Sequence, residues 1–457
     1  MIRVAILSAA VILGCGPSGE PPVEKLDEPP FVQSTFTYKQ IGETRIEADV
    51  YRHSDDRARP VLVWIHGGAL MFGSRAFPPY RLLDLCRVAG CAVVSIDYRL
   101  APDETLPAII EDLEDAFAWI REEGPALFAA DPDRIVVAGS SAGGYLTLAS
   151  GYRVQPRPSA LVSFWGYGAL NTFDAEPSEY YRASQQLVTE EEAWSEGGNL
   201  YLYLRQNGLW THVVAGFDPI TEYAQLTEYA PVDNVTADYP PTLLIHGDAD
   251  TDVPFEESVT MAQELARNDV THELMLVPNG SHGLGRGDSQ SITEAYARAL
   301  AFAHASLFGE RRAAEIGPLV AAHAALDQGV QLAREDDIDG ALTAFERARE
   351  LESEVTITGS AWALVCRRGG LLARAADVLE ACNRAVELWP DNRGYRSARG
   401  VVRALLGDLE GAGQDLEPVI EWIQDPARRA RQQAWVDEVH AGRNPFTPEV
   451  LESLRAR

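Results

Sequence analysis

Between residue 31 and about residue 309 short apolar runs recur along the chain: VLVWI (61–65), CAVVSI (91–96), RIVVAG (134–139), ALVSFWG (160–166), TLLIHG (242–247) and ELMLVP (273–278). None alternates polar with apolar positions, which suits strands buried on both faces of a parallel sheet. Ahead of them, Thr35–Gln40 and Arg45–Tyr51 flank IGET and predict an antiparallel hairpin. The segments between the runs carry helical periodicity. In Glu104–Arg121, Ile109, Ile110, Leu113, Phe117 and Ile120 share one face. Strand alternating with helix predicts an α/β domain over residues 31–310 with a mostly parallel central sheet.

Two stretches depart from that rhythm. Residues 171–234 are long, acidic and aromatic, with Tyr180, Tyr181, Trp194, Tyr201, Tyr203, Trp210 and Phe217. Inserted between two core strands, such a segment is expected to lie over the end of the sheet as a cap. After about Pro318 the pattern turns to helix only, rich in Ala, Leu and Arg. Three segments there resemble tetratricopeptide repeats. Gly329, Ala341, Phe345 and Ala348 match the first, Trp362, Ala385 and Pro390 the second, and Gly400, Gly407 and Ala412 the third. The resemblance implies an all-α helical-repeat domain over 318–430, a helical tail over 431–457 and a protein or peptide partner for the repeats.

The start of the chain, MIRVAILSAAVILGCG, joins Arg3 to an apolar stretch too short for a comfortable membrane helix. Ile12-Leu13-Gly14-Cys15 resembles the lipobox of bacterial lipoproteins. That implies a signal over 1–15, lipidation at Cys15 and an exported, membrane-anchored protein facing the periplasm or cell surface. Residues 16–30, rich in Pro, Gly and charge, read as an extended linker. The net charge of −29 argues against nucleic acid and leaves the lipid anchor as the expected membrane contact. Apart from Cys15 the cysteines are Cys86, Cys91, Cys366 and Cys382. No C-x-x-C occurs, so no metal site is expected. The spacing of Cys86 and Cys91 does not compel a bond, and buried free thiols are the expected state.

The chemistry centres on Gly139-Ser140-Ser141-Ala142-Gly143, a G-x-S-x-G between a predicted strand and a predicted helix. That context marks a nucleophile elbow: small flanking residues let a tight turn lift Ser141 clear of the backbone, at the positive end of a helix dipole. A serine hydroxyl needs a base. Of nine histidines, His282 stands in a Gly-rich loop just after the last predicted strand, while His66 and His246 precede turn glycines. The base needs an orienting carboxylate, and HGDADTDVP offers Asp248, Asp250 and Asp252. An oxyanion needs backbone donors. Gly68 and Ala69 in HGGA, with Ala142 after the nucleophile, are the expected ones.

HGGA, DYRLAPDETLPAIIEDLEDAFAWI, GSSAGG, HGDADTDVP and GSHG follow one another in the order seen in hormone-sensitive-lipase-type carboxylesterases of the α/β-hydrolase superfamily. The chain resembles that family over roughly residues 45–305. The resemblance implies a triad of Ser141, Asp250 and His282, with Asp250 chosen through D-x-x-V-P, and an oxyanion hole of Gly68, Ala69 and Ala142. It implies no cofactor and a small-molecule ester substrate of short or medium acyl length. Two positions depart from the family: Ala69 replaces the fourth member of H-G-G-G, and Ser140 replaces an acidic residue. Peptide cleavage or polysaccharide deacetylation on the same triad, and a tethered repeat-based interaction protein, stay open as alternatives.

Overall fold

The computed structural model describes residues 29–170, 177–195 and 197–456. Cys15, the signal and most of the linker lie outside the described residues. Eight strands build one sheet: β1 (Phe31–Ile41), β2 (Thr44–His53), β3 (Arg59–Ile65), β4 (Ala92–Ile96), β5 (Ala130–Ser140), β6 (Ala160–Phe164), β7 (Thr242–Gly247) and β8 (His272–Val277). Their order is β1-β2-β4-β3-β5-β6-β7-β8. The hairpin β1–β2 and the β2–β4 pair are antiparallel, and the other pairs are parallel.

The apolar runs lack alternation because each strand feeds two cores. On β3, Val61, Val63 and Ile65 enter the core on one face, while Leu62 and Trp64 enter the core on the other. On the first face lie α2 (Leu106–Glu122) and α3 (Ala142–Arg153), followed by the cap; on the second lie α1 (Tyr80–Ala89) and α6 (Ser289–Phe308). The cap carries α4 (Leu200–Asn207), and α5 (Glu256–Arg267) precedes β8. β8 departs from the expected two-sided burial. It closes the sheet as its last strand, and most of its positions are partly exposed, Leu276 to 39%.

Beyond residue 316 the chain is helical: α7 (Gly317–Arg334), α8 (Ile338–Leu351), α9 (Gly359–Leu371), α10 (Ala375–Leu388), α11 (Arg393–Leu405), α12 (Leu409–Leu416), α13 (Pro426–His440) and α14 (Pro448–Arg455). Consecutive helices pair as α7/α8, α9/α10 and α11/α12. Small residues let them close. A Cβ at Gly329 would come within 2.7 Å of the Phe345 ring, and one at Gly400 within 2.7 Å of Leu416.

The four cysteines among the described residues are not free thiols. Cys86 bonds Cys91, and Cys366 bonds Cys382. Gly90 caps α1 in the left-handed region (φ 85°) and turns the chain back, bringing the Cα atoms of Cys86 and Cys91 to 4.4 Å. Cys366 and Cys382 face each other across the α9/α10 pair, with Cα atoms 4.8 Å apart. Sequence spacing hides this closeness, because it arises from a left-handed turn in one case and helix packing in the other.

The helical region is joined to the sheet body by polar and apolar contacts. Asp84 of α1, fully buried, accepts from the Thr356 amide (2.9 Å) and hydroxyl (2.6 Å) and contacts His323 Nε2 at 3.0 Å. Arg81 pairs with Asp327. One apolar core runs from Leu62 and Trp64 through Leu300 and Leu307 into Leu319, Leu326 and Phe345.

Candidate active site

Ser141 sits between β5 and α3 with φ 54° and ψ −122°. A non-glycine residue in that region is strained, and the surroundings must hold it. Its amide donates to the Phe164 carbonyl at 2.9 Å, tying the turn to β6. The glycines make the turn sterically possible. A Cβ at Gly139 would stand 2.2 Å from the Gly143 carbonyl oxygen, and one at Gly143 would stand 2.1 Å from that of Ile65. Only hydrogen fits at either place.

The Ser141 hydroxyl is 3.0 Å from His282 Nε2. The other ring nitrogen, Nδ1, is 2.8 Å from Asp250 Oδ2. Asp250 Oδ1 accepts the amides of Asp252 (2.9 Å) and Val253 (3.0 Å), so the carboxylate is fixed from both sides. His246, read in the sequence as a turn residue, also reaches it: its Nε2 is 3.3 Å from Oδ2. Burial alone would raise the Asp250 pKa. Hydrogen bonds from His246 and His282 and the donated amides outweigh it and hold the carboxyl well below its ordinary range. Burial pulls the His282 pKa down, but the hydrogen bond and charge of Asp250, with the charge of Asp252, leave it raised.

Of the other two carboxylates considered, neither replaces Asp250. Asp248 accepts the Asn279 amide at 2.6 Å and acts as a turn brace. Asp252 turns to the cap. Its Oδ1 accepts from Tyr181 (2.8 Å) and Tyr201 (2.7 Å) and from the buried Arg205 of α4. Arg205 also donates to the Asp252 carbonyl at 2.8 Å. This cap anchor was missed in the sequence, where only a rich aromatic and acidic content marked the segment. Tyr180 and Trp194, expected among the cap aromatics, are half exposed.

The loop after β3 lies against the same cleft. Gly68, Ala69 and Leu70 all have positive φ (116°, 54° and 58°). Five successive carbonyls of this loop are engaged. That of His66 accepts from Tyr98 (2.9 Å), and that of Gly67 meets His66 Nδ1 (2.7 Å). The Gly68 carbonyl accepts the Met71 and Phe72 amides (2.9 Å each), the Ala69 carbonyl the Trp210 indole (3.0 Å), and the Leu70 carbonyl the Ala101 amide (2.8 Å). Tyr98 and Ala101 belong to DYRLAP, which therefore braces the loop. His66 stacks on Tyr98, with ring centres 4.3 Å apart. Ala142 occupies the first position of α3.

Between these parts lies a cavity of about 280 Å³, walled by Phe72, Tyr167, Tyr201 and Trp210, with Ser141 and His282 on its floor. Among the described residues, no cluster of three or more His, Cys, Asp or Glu side chains gathers to hold a metal.

Residues 62–285 match the sequence pattern of a family described as having the alpha/beta hydrolase fold. The chain is 31% identical over 241 residues to the esterase LipC of Mycobacterium tuberculosis, covering 51% of this chain and 56% of LipC. It is 26% identical over 306 residues to the probable carboxylic ester hydrolase LipM of the same organism, covering 63% of this chain and 64% of LipM. The chain thus spans less than two thirds of the length of these curated relatives. Among solved structures, a thermophilic esterase from Thermogutta terrifontis aligns with a TM-score of 0.43 at 21% identity, over 59% of this chain and 90% of that one. With the strand order and the helices on both faces described above, the body containing residues 62–285 is an α/β-hydrolase fold.

Proposed function

We propose that the protein is a serine carboxylesterase that hydrolyses short- to medium-chain acyl esters through Ser141, His282 and Asp250. The observation that carries this reading is the unbroken hydrogen-bonded series from the Ser141 hydroxyl through both nitrogens of His282 to Asp250, at 3.0 and 2.8 Å. Ser141 Oγ attacks the ester carbonyl carbon, and its proton passes to His282 Nε2. The tetrahedral intermediate collapses as the imidazolium returns that proton to the departing alkoxide. Water, deprotonated by the same nitrogen, then attacks the acyl-enzyme and releases the carboxylic acid and the free serine. Asp250 keeps the Nδ1 proton in place and balances the charge on the ring.

The oxyanion is assigned to the amides of Gly68, Ala69 and Ala142. In a trans peptide the N–H points opposite to the preceding carbonyl. With the Gly67 and Gly68 carbonyls turned to His66, Met71 and Phe72, the next two amides are directed away from those partners. Fixed donors of this kind need no reorganisation as charge develops. The small aromatic-walled cavity supports a modest acyl group.

Replacing Ser141 by Ala is expected to abolish p-nitrophenyl acetate turnover and fluorophosphonate labelling while leaving thermal stability intact. Retained turnover in that variant refutes the assignment.

We further propose that the chain is an exported bacterial lipoprotein anchored through Cys15. The lipobox-like Ile12-Leu13-Gly14-Cys15 supports this, and so do two disulfides, which persist in oxidising compartments. Cys15→Ser should move the protein from the membrane to the soluble fraction; unchanged membrane association contradicts the anchor.

A further inference from the structure

Arg205 of α4 is buried, and it borders the cavity at Ser141 together with Tyr201 and Asp252. Its partner Asp252 stands where a carboxylate can interfere with the base. Asp252 Oδ2 is 3.6 Å from His282 Nε2, the same nitrogen that faces the Ser141 hydroxyl at 3.0 Å. Two acidic groups therefore flank one imidazole, Asp250 on Nδ1 and Asp252 beside Nε2. A shift of under about 1 Å would bring Asp252 within hydrogen-bonding range of the ring.

The backbone of Asp252 is pinned. Its amide donates to Asp250 Oδ1 at 2.9 Å, and its carbonyl accepts from Arg205 Nη2 at 2.8 Å. Only the side-chain torsions decide where the carboxylate points. Three donors settle them by converging on Oδ1: the hydroxyls of Tyr181 (2.8 Å) and Tyr201 (2.7 Å), and Arg205 Nη1. Arg205 Nη1 also donates to the Tyr201 hydroxyl at 2.6 Å. Its guanidinium lies over the rings of Tyr181 and Tyr201, 5.0 and 5.6 Å from their centres. One cation thus orders the whole set.

With Oδ1 released, the carboxylate can close on Nε2. A proton taken up from solvent on that nitrogen would then be held there, with a carboxylate at each end of the ring. No lone pair would be left for the Ser141 proton. We propose that Arg205 is a positioning residue for the serine-esterase reaction, on which reading this inference rests: it draws Asp252 toward the cap and leaves His282 Nε2 to Ser141. The cap thereby reaches the chemistry without contributing a member of the triad. The surrounding groups act in matching senses: burial and Arg205 lower the His282 pKa, while Asp250 and Asp252 raise it. His246 acts through Asp250, 3.3 Å away.

The test is the pH dependence of kcat/KM for p-nitrophenyl acetate in the full-length protein. Arg205→Met should lower the rate at neutral pH roughly tenfold or more and raise the midpoint of the acid limb by about 0.5 pH unit or more. In an Asp252→Asn background the same substitution should move the midpoint by less than about 0.2 unit. A guanidinium acting on the ring through its own charge would shift both backgrounds equally, and a mere strut of the cap would shift neither; either result overturns the proposal. Tyr181→Phe with Tyr201→Phe removes two donors to Oδ1 without stranding a buried charge, and decides the matter if Arg205→Met melts too low to assay. Its midpoint should also rise, and an unmoved one overturns the proposal. Fluorophosphonate labelling separates the two readings. A wild type labelled at Ser141 with unmoved midpoints in the variants refutes the role of Arg205 alone, whereas an unlabelled wild type refutes the esterase reaction and this inference with it.

Discussion

The carboxyl of Asp250 has no spare freedom. One oxygen takes two backbone amides, and the other faces both His246 and His282. In Asp250→Asn the amide group must present its NH₂ where Oδ2 now stands, since Oδ1 is bound by donors. His282 Nδ1 would then accept, moving its proton to Nε2 and leaving nothing to receive the serine proton. Turnover number should fall by roughly 10,000-fold with the fold retained; a loss under tenfold in steady-state kinetics contradicts the orienting role. Catalysis needs neutral His282, whose pKa lies above the ordinary 6.5. The acid limb of kcat/KM should therefore have its midpoint above pH 6.5. Stability follows the opposite sense for this residue: its contribution is complete below about pH 6.5 and is lost as pH rises through the raised value. The depressed Asp250 contributes above about pH 4 and loses that contribution as pH falls through its lowered pKa. A pH–rate profile with its midpoint below 6.5 tells against this charge arrangement. The placing of Ser141 and His282 was legible in the sequence because each follows a strand end in a glycine-marked turn. The sharing of Asp250 by His246 was not, because it depends on a side chain folding back over its own loop.

At the scale of elements, the elbow is a junction where β5, α3 and the end of β3 meet without room for a methyl group. Gly143→Ala would press a Cβ to within 2.1 Å of the Ile65 carbonyl oxygen, and backbone cannot give way as a side chain would. Overpacking of this kind costs about 1–3 kcal/mol. The variant should melt several degrees lower and lose at least 100-fold in kcat/KM by displacing Ser141; wild-type activity with wild-type melting contradicts that steric argument. All six apolar runs were legible as strands, because two-sided burial removes alternation. The partial exposure of β8 was not, since a run's composition does not say whether another strand will flank it. The pairing of Cys86 with Cys91 escaped for a related reason: Gly90's left-handed turn, and not the five-residue spacing, sets where the thiols point.

For the molecule as a whole, the two regions recognisable in the sequence share one of the apolar cores and a buried polar clasp. Asp84→Ala would strip His323 and Thr356 of their acceptor inside that contact. Removing one partner from such a buried set costs about 3–5 kcal/mol, and calorimetry should register it as a lower melting temperature of the entire chain. Calorimetry of the native protein should give one transition; two well-separated peaks would show that the regions melt independently. The continuity of that interior also bears on how such a chain can be rebuilt. A version trimmed after Phe308 would keep every group of the cavity at Ser141, yet would lay bare the flank formed by Leu82, Leu300 and Leu307. A chain shortened in this way should clump or need detergent, so the helical annex doubles as the lid on its neighbour's unfinished side.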